Sequence, residues 1–247
     1  VLPFCKGHFR ARLAETPQDL LAAQRLRFRA FRAERAATCS DQDLDVDALD
    51  ERCQHLLVET LSGGAVVGTC RLFLIKDVGM LEQSYAAQFY DLRPLTRFKG
   101  AMLEIGRFCI APDQKDQDAL RLAWAALTRI VDAESVALMF GCSSFPGVTA
   151  ECHADALALL AKAHIGPEDR RPGRKAAEAV ALQAAVHDRR QAMAQMPPLL
   201  RSYLAMGGWV SDHAVLDRDL DTLHVFTGVE IAAIPPVRAR LLRDDAR

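Results

Sequence analysis

The stretch AMLEIGRFCIAPD, Ala101 to Asp113, reads as a buried strand that carries charge. Its apolar run is of strand length, yet Glu104 and Arg107 interrupt it around Gly106. Such residues are seldom fully buried unless paired. In a regular strand the two side chains point to opposite faces, because the side-chain period is two. A glycine inside a strand often marks a bulge, and a bulge re-aims side chains beside active sites. The spacing therefore predicts a bulge at Gly106 that turns both charges toward one cleft.

Outward from this strand, other charges fall where apolar residues belong. TPQDLLAAQRLRFRAFRAERA opens a helix, with Thr16 as N-cap, Pro17 at the first position and Asp19 in the first turn. Leu20, Ala23, Ala30 and Phe31 share a face with the cation Arg27, while Arg25, Arg29 and Arg32 lie elsewhere. TCSDQDLDVDALDERCQ is an acidic loop with Asp47 and Asp50 three apart. HLLVETLSGGAVVGTCRLFLI is a hairpin about Gly63-Gly64, and it places Arg71 among apolar neighbours.

Past the central strand, DQDALRLAWAALTRIVDAESV is a helix with Leu120, Trp124, Leu127 and Val131 on one stripe. VALMFGCSSF is a strand, and the helix after it closes at Gly166. A long Ala-rich helix is expected over about 174–195, stopped by Pro197-Pro198. A short helix ending in glycines and two strands complete the chain. The expectation is one α/β domain over 1–247, with a mixed, mostly antiparallel sheet, helices on both faces and a helical insertion at about 165–206.

Composition bounds the function. The chain has 247 residues, 50% hydrophobic and 26% charged, with a net charge of −1, so nothing global points to nucleic acid. Residues 1–35 hold eight Lys/Arg against three Asp/Glu, and 36–60 hold one against seven, a surface asymmetry relevant to partners. Seven scattered cysteines without a C-x-x-C spacing read as free thiols in a reducing compartment, and no metal site is expected. No apolar run is long enough to span a bilayer. The expected location is the cytoplasm, with peripheral membrane contact open.

The order of elements and the misplaced charges resemble the Gcn5-related N-acetyltransferase fold. They are closest to its branch that takes acyl groups from acyl carrier protein, which includes the acyl-homoserine-lactone synthases. The motifs are Arg27 with Phe31, Asp47-x-x-Asp50, Arg71 in VVGTCRLFL, and Glu104 and Arg107 in LEIGRFCI. RFCIAPD, GCSSFPG and the C-terminal PPLLRSYLAMGGWVSDHAVLDRDLDTLHVFTGVEI resemble instead the L-ornithine N-α-acyltransferases of bacterial ornithine-lipid synthesis.

That resemblance implies transfer of a 3-hydroxyacyl chain from acyl carrier protein to the α-amine of L-ornithine. No dissociable cofactor is then required, since the donor is a phosphopantetheine thioester on the carrier. Glu104 is the candidate base with Arg107 beside it, or else a purely structural partner of Arg107 or Arg71. Arg27, Phe31, Asp47, Asp50 and Arg71 are candidates for a charge cluster by the substrate. That cluster is either a structural clamp or, through Asp47 or Asp50, a binder of the ornithine side chain. Met139, Phe140 and Cys142 are candidates for the acyl pocket.

APDQKDQDALRL, where coenzyme A enzymes of this fold place a glycine-rich pyrophosphate loop, has no glycine and three aspartates, Asp113, Asp116 and Asp118. A basic docking patch for the acidic carrier is expected among Arg93, Arg97, Lys99, Arg170, Arg171, Arg174 and Lys175. The alternatives are a lactone synthase using S-adenosylmethionine, a coenzyme A-dependent N-acetyltransferase, and a membrane-associated, non-catalytic relative.

Overall fold

The structure is a computed structural model that describes residues 2–36, 40, 43–185 and 188–246. Cys39 and the start of the acidic loop lie outside the described residues. In chain order the elements are β1 (Phe4–Lys6), β2 (Phe9–Leu13), α1 (Pro17–Phe31), β3 (Gln54–Thr60), β4 (Val66–Ile75), β5 (Tyr90–Asp91), β6 (Ala101–Ile110), α2 (Asp118–Ala133) and β7 (Val136–Pro146). Then follow α3 (Ala154–Ala163), β8 (Gly173–Arg174), β9 (Ala179–Ala181), α4 (Arg189–Gln195), α5 (Pro198–Ala205), β10 (Trp209–Asp217), β11 (Thr222–Glu230) and α6 (Pro236–Asp245).

The chain divides into two compact units. The first holds residues 1–74, 105–136 and 239–247; the second holds 75–104 and 137–238. In the first the strand order is β1-β2-β3-β4-β6, and in the second it is β6-β7-β11-β10-β9. The pairings β1–β2, β2–β3, β3–β4, β7–β11, β11–β10 and β10–β9 are all antiparallel. The mixed, mostly antiparallel α/β class expected from the sequence is the one observed.

Within the first unit, local sequence explains the helix starts. Thr16 caps α1 by accepting from the Asp19 N–H, while the Asp19 carboxylate accepts from the Thr16 N–H, a reciprocal capping box. The hairpin turns at Gly63 and Gly64, both at positive φ, where a Cβ is disfavoured. Helix α2 meets expectation in part. Leu127 and Val131 are buried as expected and Trp124 is half-buried, but Leu120 is exposed and the alanine side, Ala119, Ala123, Ala125 and Ala126, is buried with Leu122 and Ile130. Small side chains let the helix approach β2 and β3 closely, so the larger Leu120 is not needed there.

In the second unit, β11 alternates cleanly. Leu223 and Val225 join Phe145, Leu157, Leu200 and Val210 in an apolar core. Thr222, His224 and Phe226 point to the opposite face, by the period of two.

The long Ala-rich helix is not formed. Gly173 and Arg174 pair with β5, and residues 178–182 run along the edge of β10, with Ala181, Val180 and Ala179 opposite His213, Ala214 and Val215. The Arg174 guanidinium donates to the carbonyls of Ala177 and Ala179. Hydrogen bonding to an open sheet edge outweighs the few tenths of a kcal/mol per residue, order of magnitude, by which alanine favours a helix. Helix starts again only at α4, where the Asp188 carboxylate accepts from the Arg190 and Gln191 N–H groups. The segment 165–206 thus contains β8 and β9 as well as α4 and α5.

Gly166 is also not the helix cap it was expected to be. Helix α3 ends at Ala163, and Gly166 donates its N–H to the Val210 carbonyl. A Cβ on Gly166 would come within 2.4 Å of the Trp209 ring, so the glycine is required for close approach.

Candidate active site

Two buried polar centres carry the charges that the sequence misplaces. The first lies in the first unit. Its loop, 43–53, is folded by an Asx turn in which the Asp47 carboxylate accepts from the Leu49 N–H. The loop is tied to α1 by the Asp45 N–H to the Gln24 carbonyl, 3.1 Å. The His55 ring nitrogen Nε2 contacts the Asp50 carbonyl at 3.0 Å.

Arg27 sits at its middle with 0% exposure. Its Nε donates to Asp45 at 2.9 Å and its Nη1 to Asp50 at 2.7 Å, and Nη2 also donates to the Asp45 carbonyl. Arg71 Nη1 donates to Asp47 at 2.5 Å and to Asp50 at 3.1 Å. Arg107 donates to Asp45 at 3.0 Å and to Asp47 at 3.4 Å. Gln24 adds an amide to Asp50 at 2.9 Å.

The arrangement keeps Asp45 and Asp50 ionised. Burial pushes the Asp50 carboxyl up, but Arg27, Gln24 and Arg71 more than offset this and hold it at about 2. Asp45 is likewise raised by burial and lowered further by Arg107, Arg32 and Arg27, so it ends below the ordinary range. The predicted grouping of Arg27, Arg71 and Arg107 with Asp47 and Asp50 is therefore formed. Phe31 is half-buried, packed beside Leu26, Cys109 and Ala111.

Asp45 and Arg32 were missed. Asp45 is the most buried carboxylate of the cluster, and it also accepts from Arg32 at 2.7 Å. The signal was in the loop: DLDVDALD alternates aspartates at 43, 45 and 47, so two of them can share a face. Arg32 closes α1 as its C-cap residue, one position beyond the helical face that was read.

In strand β6 the irregular backbone falls at Arg107, one residue after the glycine at which a bulge is predicted. Gly106 is not the left-handed residue; Arg107 is, at φ 51°. A left-handed residue is the feature that re-aims one type of bulged strand, and a non-glycine there is uncommon. Ion pairs to Asp45 and Asp47 hold Arg107 in that conformation.

The second centre lies in the second unit. Glu104 is 4% exposed, and its carboxylate is cradled by main chain. Oε2 accepts from the Tyr85 N–H at 2.8 Å and Oε1 from the Ala86 N–H at 2.7 Å. These amides start the 3-10 turn Ala86–Gln88, where N–H groups lack partners within the turn. The Tyr85 hydroxyl donates to Asp217 at 2.7 Å, and Asp217 accepts in turn from the Asp219 and Leu220 N–H groups.

The three acyl-pocket candidates separate by alternation along β7. Cys142 lies opposite Phe226, and Phe140 stacks on Phe226 with centroids 5.4 Å apart. Met139, one residue before Phe140, points to the other face. Burial pushes the Cys70 and Cys109 thiols up, Cys109 to about 12, so neither is a thiolate near neutral pH.

Comparison with known proteins assigns the family. A family model described as an acetyltransferase (GNAT) domain matches residues 26–125. Over 238 residues the chain is 32% identical to the L-ornithine N(alpha)-acyltransferase of Rhodobacter capsulatus, covering 92% of this chain and 91% of that one. It is 31% identical over 243 residues to the L-ornithine N(alpha)-acyltransferase of Brucella abortus, covering 92% and 86%.

The chain belongs to the L-ornithine N(alpha)-acyltransferase family.

It is accordingly an N-acyltransferase, and the non-catalytic alternative falls. Two solved structures share the fold. One is a CoA-dependent acyl-homoserine lactone synthase, MesI, with a TM-score of 0.52 at 12% identity, covering 96% of this chain and 95% of that one. The other is the CoA-dependent acyl-homoserine lactone synthase BjaI with MTA, with a TM-score of 0.52 at 18% identity, covering 97% and 90%. At such identities the likeness is one of fold. For this family Glu104 and the aspartate–arginine cluster are the natural places to look for chemistry, because both are buried, charged and built from several elements.

Proposed function

We propose that this N-acyltransferase moves a 3-hydroxyacyl group from the phosphopantetheine thioester of acyl carrier protein to the α-amine of L-ornithine. The names of its relatives support ornithine as acceptor. The observation that carries the chemistry is the Glu104 carboxylate, buried and fixed by two main-chain N–H groups. Glu104 takes the proton that the amine loses. The amine nitrogen then bonds to the thioester carbonyl carbon, the carbon–sulfur bond breaks, and pantetheine leaves as the thiol. No acyl-enzyme is needed.

Arg27, Arg71 and Arg107 with Asp45, Asp47 and Asp50 hold the acidic loop in place in this scheme. The donor reading rests on the turn before α2. It has no glycine, carries Asp113 and Asp116, and leads into a helix whose first residue is Asp118, a poor setting for a pyrophosphate. A carrier-borne pantetheine presents no pyrophosphate there.

The test is a mass-spectrometric assay offering L-ornithine with a long-chain 3-hydroxyacyl carrier protein, the matching acyl-coenzyme A, and acetyl-coenzyme A. N-acyl-ornithine from the carrier thioester alone is the expected result. Product from acetyl-coenzyme A alone overturns the donor reading. Glu104→Gln keeps the shape and removes the base, and a fall in kcat of about 100-fold or more is expected. An unchanged kcat rejects Glu104 as the base.

A further inference from the structure

The face of β10 and β11 opposite the apolar core of the second unit carries a buried polar group of a different kind. His224 is 1% exposed and His213 is also buried. The Tyr90 ring lies beside both, with centroids 5.2 Å from His213 and 5.6 Å from His224. Each imidazole has one nitrogen engaged. His213 Nδ1 lies 2.7 Å from an Asp212 carboxylate oxygen, which fixes its proton on Nδ1. The Tyr90 hydroxyl donates to the His224 carbonyl at 2.9 Å and lies 3.1 Å from His224 Nδ1, so Nδ1 carries the proton that points to the phenol. In a ring with its proton on Nδ1 alone, Nε2 is the lone-pair acceptor. Among the described residues neither Nε2 has a partner, and on the same face Trp209 Nε1 and Thr222 Oγ1 are also buried without one. Buried polar atoms are normally bonded, so four orphans on one face call for an explanation.

We infer that His224, with His213 beside it across Tyr90, binds a hydroxyl group on the acyl chain close to its thioester carbonyl. The inference deepens the proposed function and rests on it for the identity of the chain that enters.

The surroundings choose the ligand class. Phe89, Tyr90, Phe140, Phe226 and Trp209 gather around the two imidazoles through edge and stacking contacts. These are apolar neighbours of the kind that a hydrocarbon chain packs against. Burial holds His224 neutral, down to about 4, and a neutral acceptor among aromatics suits a hydroxyl better than an ammonium. The position suits a hydroxyl near the carbonyl. Tyr85 and Ala86 cradle Glu104, and the chain continues through a 3-10 turn directly to Phe89 and Tyr90. One short segment therefore touches both the candidate base and the imidazole pair.

The experiment compares 3-hydroxyacyl and plain acyl chains of equal length, each on carrier protein and on coenzyme A, with L-ornithine. The readout is the ratio of kcat/KM for hydroxylated over plain chain, taken within one carrier. Wild type should prefer the hydroxylated chain by tenfold or more, and His224→Leu should bring the ratio to about one. His224→Gln, which keeps an acceptor, should restore part of it. No preference in wild type, or a ratio unmoved in a folded His224→Leu, overturns the inference. Activity only on coenzyme A overturns the donor reading and leaves the ratio measurable. The wild-type imidazole ¹⁵N spectrum gives a second readout that needs no turnover and no variant. The His224 Nε2 resonance should shift with the hydroxylated acyl-pantetheine and not with the plain one; equal shifts overturn the inference.

Discussion

Arg27 shows how one buried cation is made tolerable. It meets Asp45 and Asp50 through three different nitrogens, a fork that an ammonium cannot reproduce. Removing it takes from two buried carboxylates a cation that each shares with other partners. Arg27→Met should cost about 3–5 kcal/mol in chemical denaturation, with Arg27→Lys between it and wild type. Two titrating residues give separate acid limbs. The Asp50 carboxyl falls from about 4 in the unfolded chain to about 2 in the fold, so its contribution is full above pH 4 and is lost as the pH drops toward 2, roughly 2 kcal/mol in all. Asp50→Asn should flatten that limb. His224 acts earlier. Its imidazole titrates near 6.5 when unfolded and at about 4 when folded, so protonation of the unfolded chain removes up to about 3 kcal/mol between those values. Stability measured in pH steps should lose that slope in His224→Phe.

At the scale of elements, strong local signals were legible and competing ones were not. The Thr16 cap of α1, the Gly63-Gly64 hairpin and strand β6 followed directly from residue pattern. The Ala-rich run after Arg174 did not, because propensity is local and the edge of β10 is supplied by residues 30 and more further on. Gly166 misled for the same reason. Its partner is an indole 43 residues away, which no window around the glycine contains. Gly166→Ala should therefore destabilise by about 1–3 kcal/mol through overpacking against Trp209. A helix-capping glycine would instead lose its effect when replaced by Asn, so comparing Gly166→Ala with Gly166→Asn separates the two roles in thermal melts. In the site, Arg27, Arg71 and Arg107 were legible as charges out of place. Asp45 was not, since one aspartate in an acidic loop looks like the next.

At the scale of the whole molecule, a net charge of −1 hides local excess. Several cations expected to meet an acidic partner already have one in the chain. Arg170 pairs with Glu230, Arg171 with Asp212, Arg93 with Asp91, and Lys175 with Glu82. Arg97 and Lys99 are exposed and stand together before β6. Docking of an acidic carrier through them predicts a salt-sensitive encounter. With the carrier thioester, kcat/KM should fall by about tenfold as ionic strength rises from about 0.05 to 0.5 M, while acyl-pantetheine turnover barely changes. Reversing both charges should remove that difference.

The alternation along β11 has an evolutionary consequence. Its even-numbered residues from 222 to 226 look one way and its odd-numbered ones the other. Adding or deleting one residue in the tight turn at 218–221 while the rest of β11 keeps its place would be absorbed; shifting the strand itself by one would exchange every imidazole and phenyl for a core aliphatic. Descendants of this gene can therefore drift freely in side-chain identity on one face of the strand, retuning what enters there, but its reading length from Thr222 to Glu230 is close to incompressible.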